Sequence, residues 1–154
     1  MKKILILLII IITVSCINNT VTSNNSQQQM TNLYEGNLYG NGVEGLQKEN
    51  IVIKSKKDWN ALLEKLDSEN KTSDQFNKNI DFSKKYVLIA VDDVRNTGGY
   101  SIKINKIQEI KNILNVYVTT KSPKPTDMVA TAIMQPIHIV LINKTDNNIV
   151  FVEK

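Results

Sequence analysis

Cysteine and histidine are nearly missing from this 154-residue chain: Cys16 and His138 are the only ones. A lone thiol cannot close an internal disulfide or form a CxxC redox or zinc motif. A lone imidazole, with no second histidine and no thiol beside it, leaves a zinc site short of ligands. No metal and no cofactor is therefore expected. Arginine is equally scarce, with Arg95 standing alone among lysines. The formal charge of +4 is small and dispersed, and without Lys2 and Lys3 it falls to +2, too weak to suggest nucleic acid as a partner. No GxGxxG or GxxxxGK[ST] surrounds Gly98-Gly99, and GxSxG is absent, which leaves that pair without the usual phosphate cradle and the chain without a nucleophile elbow. The apolar run Ile4 to Ile12 falls well short of the ~20 residues that span a bilayer as a helix.

That short run has a different use. It follows Met1-Lys2-Lys3 and precedes Thr13-Val14-Ser15-Cys16, the layout of a secretory signal. Ser15-Cys16 resembles the end of a bacterial lipobox, with Thr13 where Leu is usual. Residues 1–15 are expected to be a lipoprotein signal peptide, and Cys16 the lipidated residue. At about 0.8 kcal/mol per buried CH₂, multiple acyl chains would make the anchor effectively permanent. Residues 16–32, rich in Asn, Ser, Thr and Gln, are expected to form a flexible polar tether. With ~15 residues it would reach about 20 Å. The expected location is the bacterial cell envelope, as a membrane-anchored lipoprotein facing periplasm or cell surface.

Residues 33–154 are expected to be one domain. Leu33 to Glu49 is glycine-rich and reads as loop, with room for a short strand near Leu38-Tyr39. Ile51-Val52-Ile53 reads as a strand. Ser55 is a good N-cap, and Trp59, Leu62, Leu63 and Leu66 then repeat at i, i+3, i+4, i+7, the stripe of an amphipathic helix. Ser68 to Asn79 reads as a surface loop. Tyr86 to Val91 and Ile137 to Ile142 are nearly continuous apolar runs, as in strands covered on both faces. Tyr100-Ile102-Ile104 and Leu114-Val116-Val118 alternate with polar residues, as in strands with one wet face. Thr145 to Asn148 reads as a hairpin turn into Ile149 to Val152. The sum predicts an α+β fold: a mostly antiparallel sheet of five or six strands with one amphipathic helix packed on one face.

Several of these pieces resemble the C-terminal domain of the PrcB family. They are Ser55-Lys56-Lys57-Asp58-Trp59, Asp81-Phe82-Ser83, Thr97-Gly98-Gly99-Tyr100-Ser101-Ile102, and Pro123 with Gln135-Pro136 before a hydrophobic strand. The resemblance runs from about Ile51 to Lys144, and Thr-Gly-Gly-Tyr is its specific part. The chain has Asp92-Asp93-Val94-Arg95 where members often have a glycine-containing stretch, and Gln135 where they commonly have Thr. The family takes its name from a lipoprotein subunit of a surface protease complex. The resemblance implies a non-catalytic subunit that binds or stabilises another exported protein.

Side chains that could carry chemistry have plainer readings. Gly98-Gly99 suits a turn between strands, with Arg95, Asn96, Thr97, Gly98, Gly99 and Tyr100 as a candidate partner-contact loop. Asp92-Asp93 reads as a solvated strand end, its two carboxylates pointing to opposite faces. His138 reads as a satisfied sheet residue. No catalytic residue is assigned. The leading expectation is a lipid-anchored binding or accessory protein, with no enzyme activity, whose sheet edge or Gly-Gly loop contacts an exported protein such as a protease. Alternatives are a protease inhibitor acting through the Arg95–Tyr100 loop, and an envelope hydrolase.

Overall fold

The computed structural model describes residues 26–153. The expected signal peptide and Cys16 lie outside them. In chain order the elements are β1 (Met30–Leu38), β2 (Glu49–Ile53), α1 (Lys56–Leu66), a 3-10 turn (Thr72–Gln75), β3 (Lys85–Val91), β4 (Ser101–Ile110), β5 (Ile113–Lys121), β6 (Gln135–Asn143) and β7 (Asn148–Glu153).

The class is α+β, but the strands divide into two sheets rather than one. The first has four strands in the order β1-β6-β3-β2, and the second has three in the order β4-β5-β7. The first is antiparallel throughout. The expected hairpin into β7 does not form, because β6 already has β1 and β3 on its two flanks. The chain instead crosses at residues 144–147, and β7 pairs with β5 in parallel, Val116 opposite Phe151.

Sheet one lies in the middle of three layers, and that explains its continuous apolar runs. Odd-numbered residues of β3 and β6, among them Val87, Ile89, Ile137 and Ile139, join a core with Trp59, Leu62 and Leu66 of α1. Even-numbered ones, among them Leu88, Ala90, Val140 and Ile142, pack on Ile104, Ile107, Leu114, Val116 and Val118 of sheet two. Each strand therefore needs apolar side chains on both faces. Sheet two has one outer face in water, so its strands alternate. A register shift between Ile104 and Lys106 flips the phase, which keeps both Ile104 and Ile107 inside.

Helix α1 forms as its sequence dictates. Ser55 Oγ accepts from the Asp58 amide at 3.2 Å, satisfying one of the free N–H groups of the first turn. Trp59 is 2% exposed, donates its indole N–H to Lys78 O at 2.9 Å, and stacks near Phe76. Truncating such a residue to Ala costs about 3–5 kcal/mol.

Two expectations fail near the N-terminus. The glycine-rich stretch read as loop contains most of β1, nine residues long. Its alternation is hidden by a register shift between Asn32 and Tyr34, which lets Leu33 and Tyr34 both reach the α1-side core. The polar segment expected as tether up to residue 32 enters the fold sooner. Gln27 bridges Gln108, the Gln28 amide donates to Ile107 O at 3.1 Å, and Met30 opens β1. Backbone hydrogen bonds make these pairings, so they need no apolar signature in the sequence.

A candidate docking pole built by three loops

Three connections meet beyond the end of β3: residues 39–48, residues 92–100 and residues 122–134. Gln135 ties the first two to β6. It is 1% exposed, and its side-chain amide donates to Leu46 O at 3.1 Å and Asp92 O at 3.0 Å. The third is stitched to the second by backbone pairs. Arg95 N–H donates to Met134 O at 2.7 Å, Met134 N–H returns to Arg95 O at 2.9 Å, and Gly98 N–H donates to Ala130 O at 2.9 Å. Met128 to Met134, ambiguous by periodicity between strand and helical turn, is neither: only Met134 bridges, opposite Arg95.

Asp92 is the electrostatic centre. It was expected in water and is wholly buried, so its charge requires a partner inside the fold. Arg95 supplies it, with Nη2 at 2.8 and 2.9 Å from the two carboxylate oxygens and Nε at 3.2 Å. The opposite-faces argument also fails. Strand β3 ends at Val91, strict alternation stops there, and both carboxylates reach the same two cations. Lys48 Nζ lies 3.6 Å from Asp92 and 3.3 Å from Asp93, and Arg95 Nη2 lies 3.5 Å from Asp93. The hydrogen bond to Asp92 pushes the Arg95 pKa further up. The hydrogen bond to Asp93, then the charges of both carboxylates, raises that of Lys48. Two acids and two bases cancel, and the pole carries little net charge.

Residues of the expected contact loop divide accordingly. Arg95 turns inward and covers the Tyr100 ring at 4.7 Å. Asn96 and Gly99 are exposed, Thr97 and Tyr100 half-buried, and Gly98 buried. Gly99 serves the turn, with φ +88°, and a Cβ there would lie 2.9 Å from Pro123 Cβ. Gly98 would meet only ordinary contacts near 3.6 Å.

What sequence reasoning missed is the apolar collar around this neutral centre. Val94, Met128, Val129 and Ile133 are all exposed, Met128 completely. Val43 is also exposed, and a Cβ on its neighbour Gly42 would lie 3.1 Å from Val94 Cγ2. The available signal was the apolar content of 128–134 just after two prolines, too irregular for a core strand. Glu44, buried at 3% exposure, accepts from the Gly40 amide at 2.8 Å and shapes the first loop.

His138 belongs elsewhere. It is 2% exposed, on the face of β6 toward sheet two, where Nδ1 accepts from the Ile104 amide at 2.8 Å. That contact places its proton on Nε2, which points to Glu35 at 3.8 Å. Glu35 in turn pairs with Lys103 at 2.8 Å. Burial holds the His138 pKa below its usual value, with the Glu35 charge opposing. His138 and the Asp92-Asp93 pair thus engage separate sets of groups. Among the described residues no cluster of three or more His, Cys, Asp or Glu side chains could hold a metal ion.

Residues 86–143 match the family model described as PrcB C-terminal. The match opens within β3 and closes at the last residue of β6, so it takes in two of the three loops of the pole. The segment from Ser55 to Ser83 that contributed to the resemblance lies outside it. No curated protein and no solved structure matches the chain.

Proposed function

We propose that this chain, with its PrcB C-terminal segment at residues 86–143, is an exported, lipid-anchored accessory protein that docks another exported protein. A protease is the partner class that the family resemblance favours. The observation that carries the reading is the pole itself: exposed apolar side chains on loops joined by backbone pairs beside an internally neutralised ion cluster. Fixed loops lose little entropy on binding, and exposed apolar groups gain from a partner's surface. The signal-like segment and Cys16 supply the anchor in this reading, at the cell envelope.

The alternatives have weaker support. An inhibitor would present Arg95 to a protease, whereas its guanidinium is bound to Asp92. A hydrolase would need Asp93 or His138 to work with a second group. Asp93 is engaged by Lys48, and the His138 Nδ1 is occupied by a backbone amide.

The test is recovery of the tagged chain from membranes solubilised in mild detergent, with and without prior cross-linking. An exported partner should accompany the wild type and be lost with Met128→Asp plus Ile133→Asp, both at exposed positions. Cys16→Ser should move the chain out of the membrane fraction. Recovery of the wild type alone under every mild condition would overturn the docking role.

A further inference from the structure

We infer that the outer edge of β2, beside α1, accepts an extended segment of the partner protein as a fifth strand of sheet one. The inference rests on the docking role and names a second contact, separate from the loop pole.

The hydrogen-bond phase of the sheet shows which groups of β2 are free. Asp92 N–H donates to Pro136 O, and Lys144 N–H donates to Lys84 O. Even-numbered residues of β3 therefore direct their backbone polar groups toward β6, and odd-numbered ones toward β2. Across the β2 ladder, Val91, Ile89 and Val87 face Glu49, Ile51 and Ile53. The N–H and C=O groups of Asn50 and Val52 are left pointing outward. No backbone partner among the described residues meets them. In sheet two, by contrast, the end of the β4 edge is covered, because Gln28 and Ser26 pair there with Ile107 and Glu109.

A groove of about 280 Å³ runs along this open edge, with Ile51 and Val52 on one side, Ala61 and Leu62 of α1 on the other, and Lys65, Glu49 and Asp58 among its lining. An edge strand next to a helix is the layout that peptide strand addition uses: backbone groups give affinity, and the groove reads alternate side chains. The lining specifies the occupant's chemistry. Residues directed at Ala61 and Leu62 should be apolar. One near Lys65 should be acidic, since among the described residues that ammonium meets only the Gly45 carbonyl, at 3.5 Å. Residues on the other face meet the Asn50–Glu153 hydrogen bond, 2.7 Å long, and should be polar. A second copy of the chain fits less well. The register that pairs Asn50 with Val52 of the copy, using all the free groups, sets Lys48 opposite Lys54, a like-charge pair.

The probe is a phage-displayed library of random twelve-residue peptides, panned on the purified full chain, with the enriched peptides resynthesised for fluorescence anisotropy. Enriched peptides should alternate apolar and polar residues and carry an acidic residue. Val52→Pro removes an outward N–H and leaves the β3 ladder intact. Ala61→Lys fills the groove from an exposed helix position. Each should weaken binding about tenfold or more, the scale of losing one well-made backbone hydrogen bond. Met128→Asp should leave peptide binding unchanged. Binding retained by both variants, or a library that yields no binder, overturns the inference. Should Val52→Pro fail to fold, Ala61→Lys decides alone. Loss only with Met128→Asp also overturns it, while the docking role at the pole would stand.

Discussion

Arg95 is the chain's single arginine, and its removal probes the pole most sharply. Arg95→Met keeps the stem length but strands the fully buried Asp92 carboxylate, which now receives three short contacts from the guanidinium. Breaking a buried pair by deleting one partner costs about 3–5 kcal/mol. Two features lower that figure here. Lys48 stays 3.6 Å from Asp92, and the Arg95 side chain is 28% exposed, so solvent already screens part of the pair. A loss of about 2–3 kcal/mol follows, or roughly 5–10 °C in Tm for a chain of this size. Urea unfolding measures it directly. Arg95→Lys keeps the charge without the planar fork and should lose only about 1 kcal/mol. Adding Asp92→Asn to Arg95→Met should recover about 1–2 kcal/mol, because the stranded charge is gone. The reasoning is refuted if Arg95→Met stays within about 0.5 kcal/mol of wild type, or if the double variant is simply additive.

Further outcomes follow from the same structure. Gly99→Ala forces a side chain into φ +88° and against Pro123, and should cost about 1–3 kcal/mol, whereas Gly98→Ala should be near neutral; urea midpoints of the two separate turn strain from loss of glycine as such. His138 has its pKa depressed by burial, so the unfolded chain binds the proton more readily. Its stabilising contribution is whole above the unfolded value near 6.5 and is lost as pH falls from there toward the folded value, with a slope of at most about 1.4 kcal/mol per pH unit. Unfolding free energies between pH 7.5 and 5 should show this slope in the wild type and a shallower one in His138→Leu. That variant should also be less stable at pH 7.5, because the Ile104 amide is left unpaired.

The fold was legible wherever one periodicity ruled. Trp59, Leu62 and Leu66 gave α1, and the double-faced apolar runs of Tyr86–Val91 and Ile137–Ile142 gave the two central strands. It was illegible where pairing is made by backbone alone or where phase slips. Residues 26–28 have no apolar pattern, and the register shift after Asn32 hides β1 behind its glycines. The division into two sheets depends on which flank of β6 is free, a matter of long-range topology that no local window contains.

At the candidate site, the turn conformation of Gly99 and the place of His138 within a sheet strand could be read from the sequence. Burial of Asp92 could not. Alternation misleads past the end of a strand, and Arg95 looks as available for a partner as for the carboxylate three residues before it. Nor could the collar be foreseen. Val94, Met128, Val129 and Ile133 come from two loops whose meeting depends on the Arg95–Met134 and Gly98–Ala130 backbone pairs.

The central claim is that the pole grips another exported protein. A photo-activatable residue at position 128, the fully exposed member of the collar, tests it in living cells. Irradiation should give one dominant adduct with an exported protein, absent when Arg95→Met loosens the loops and absent from a probe placed at Lys121, an exposed residue at the end of β5. No adduct at 128, or the same adducts at both positions, would contradict the claim.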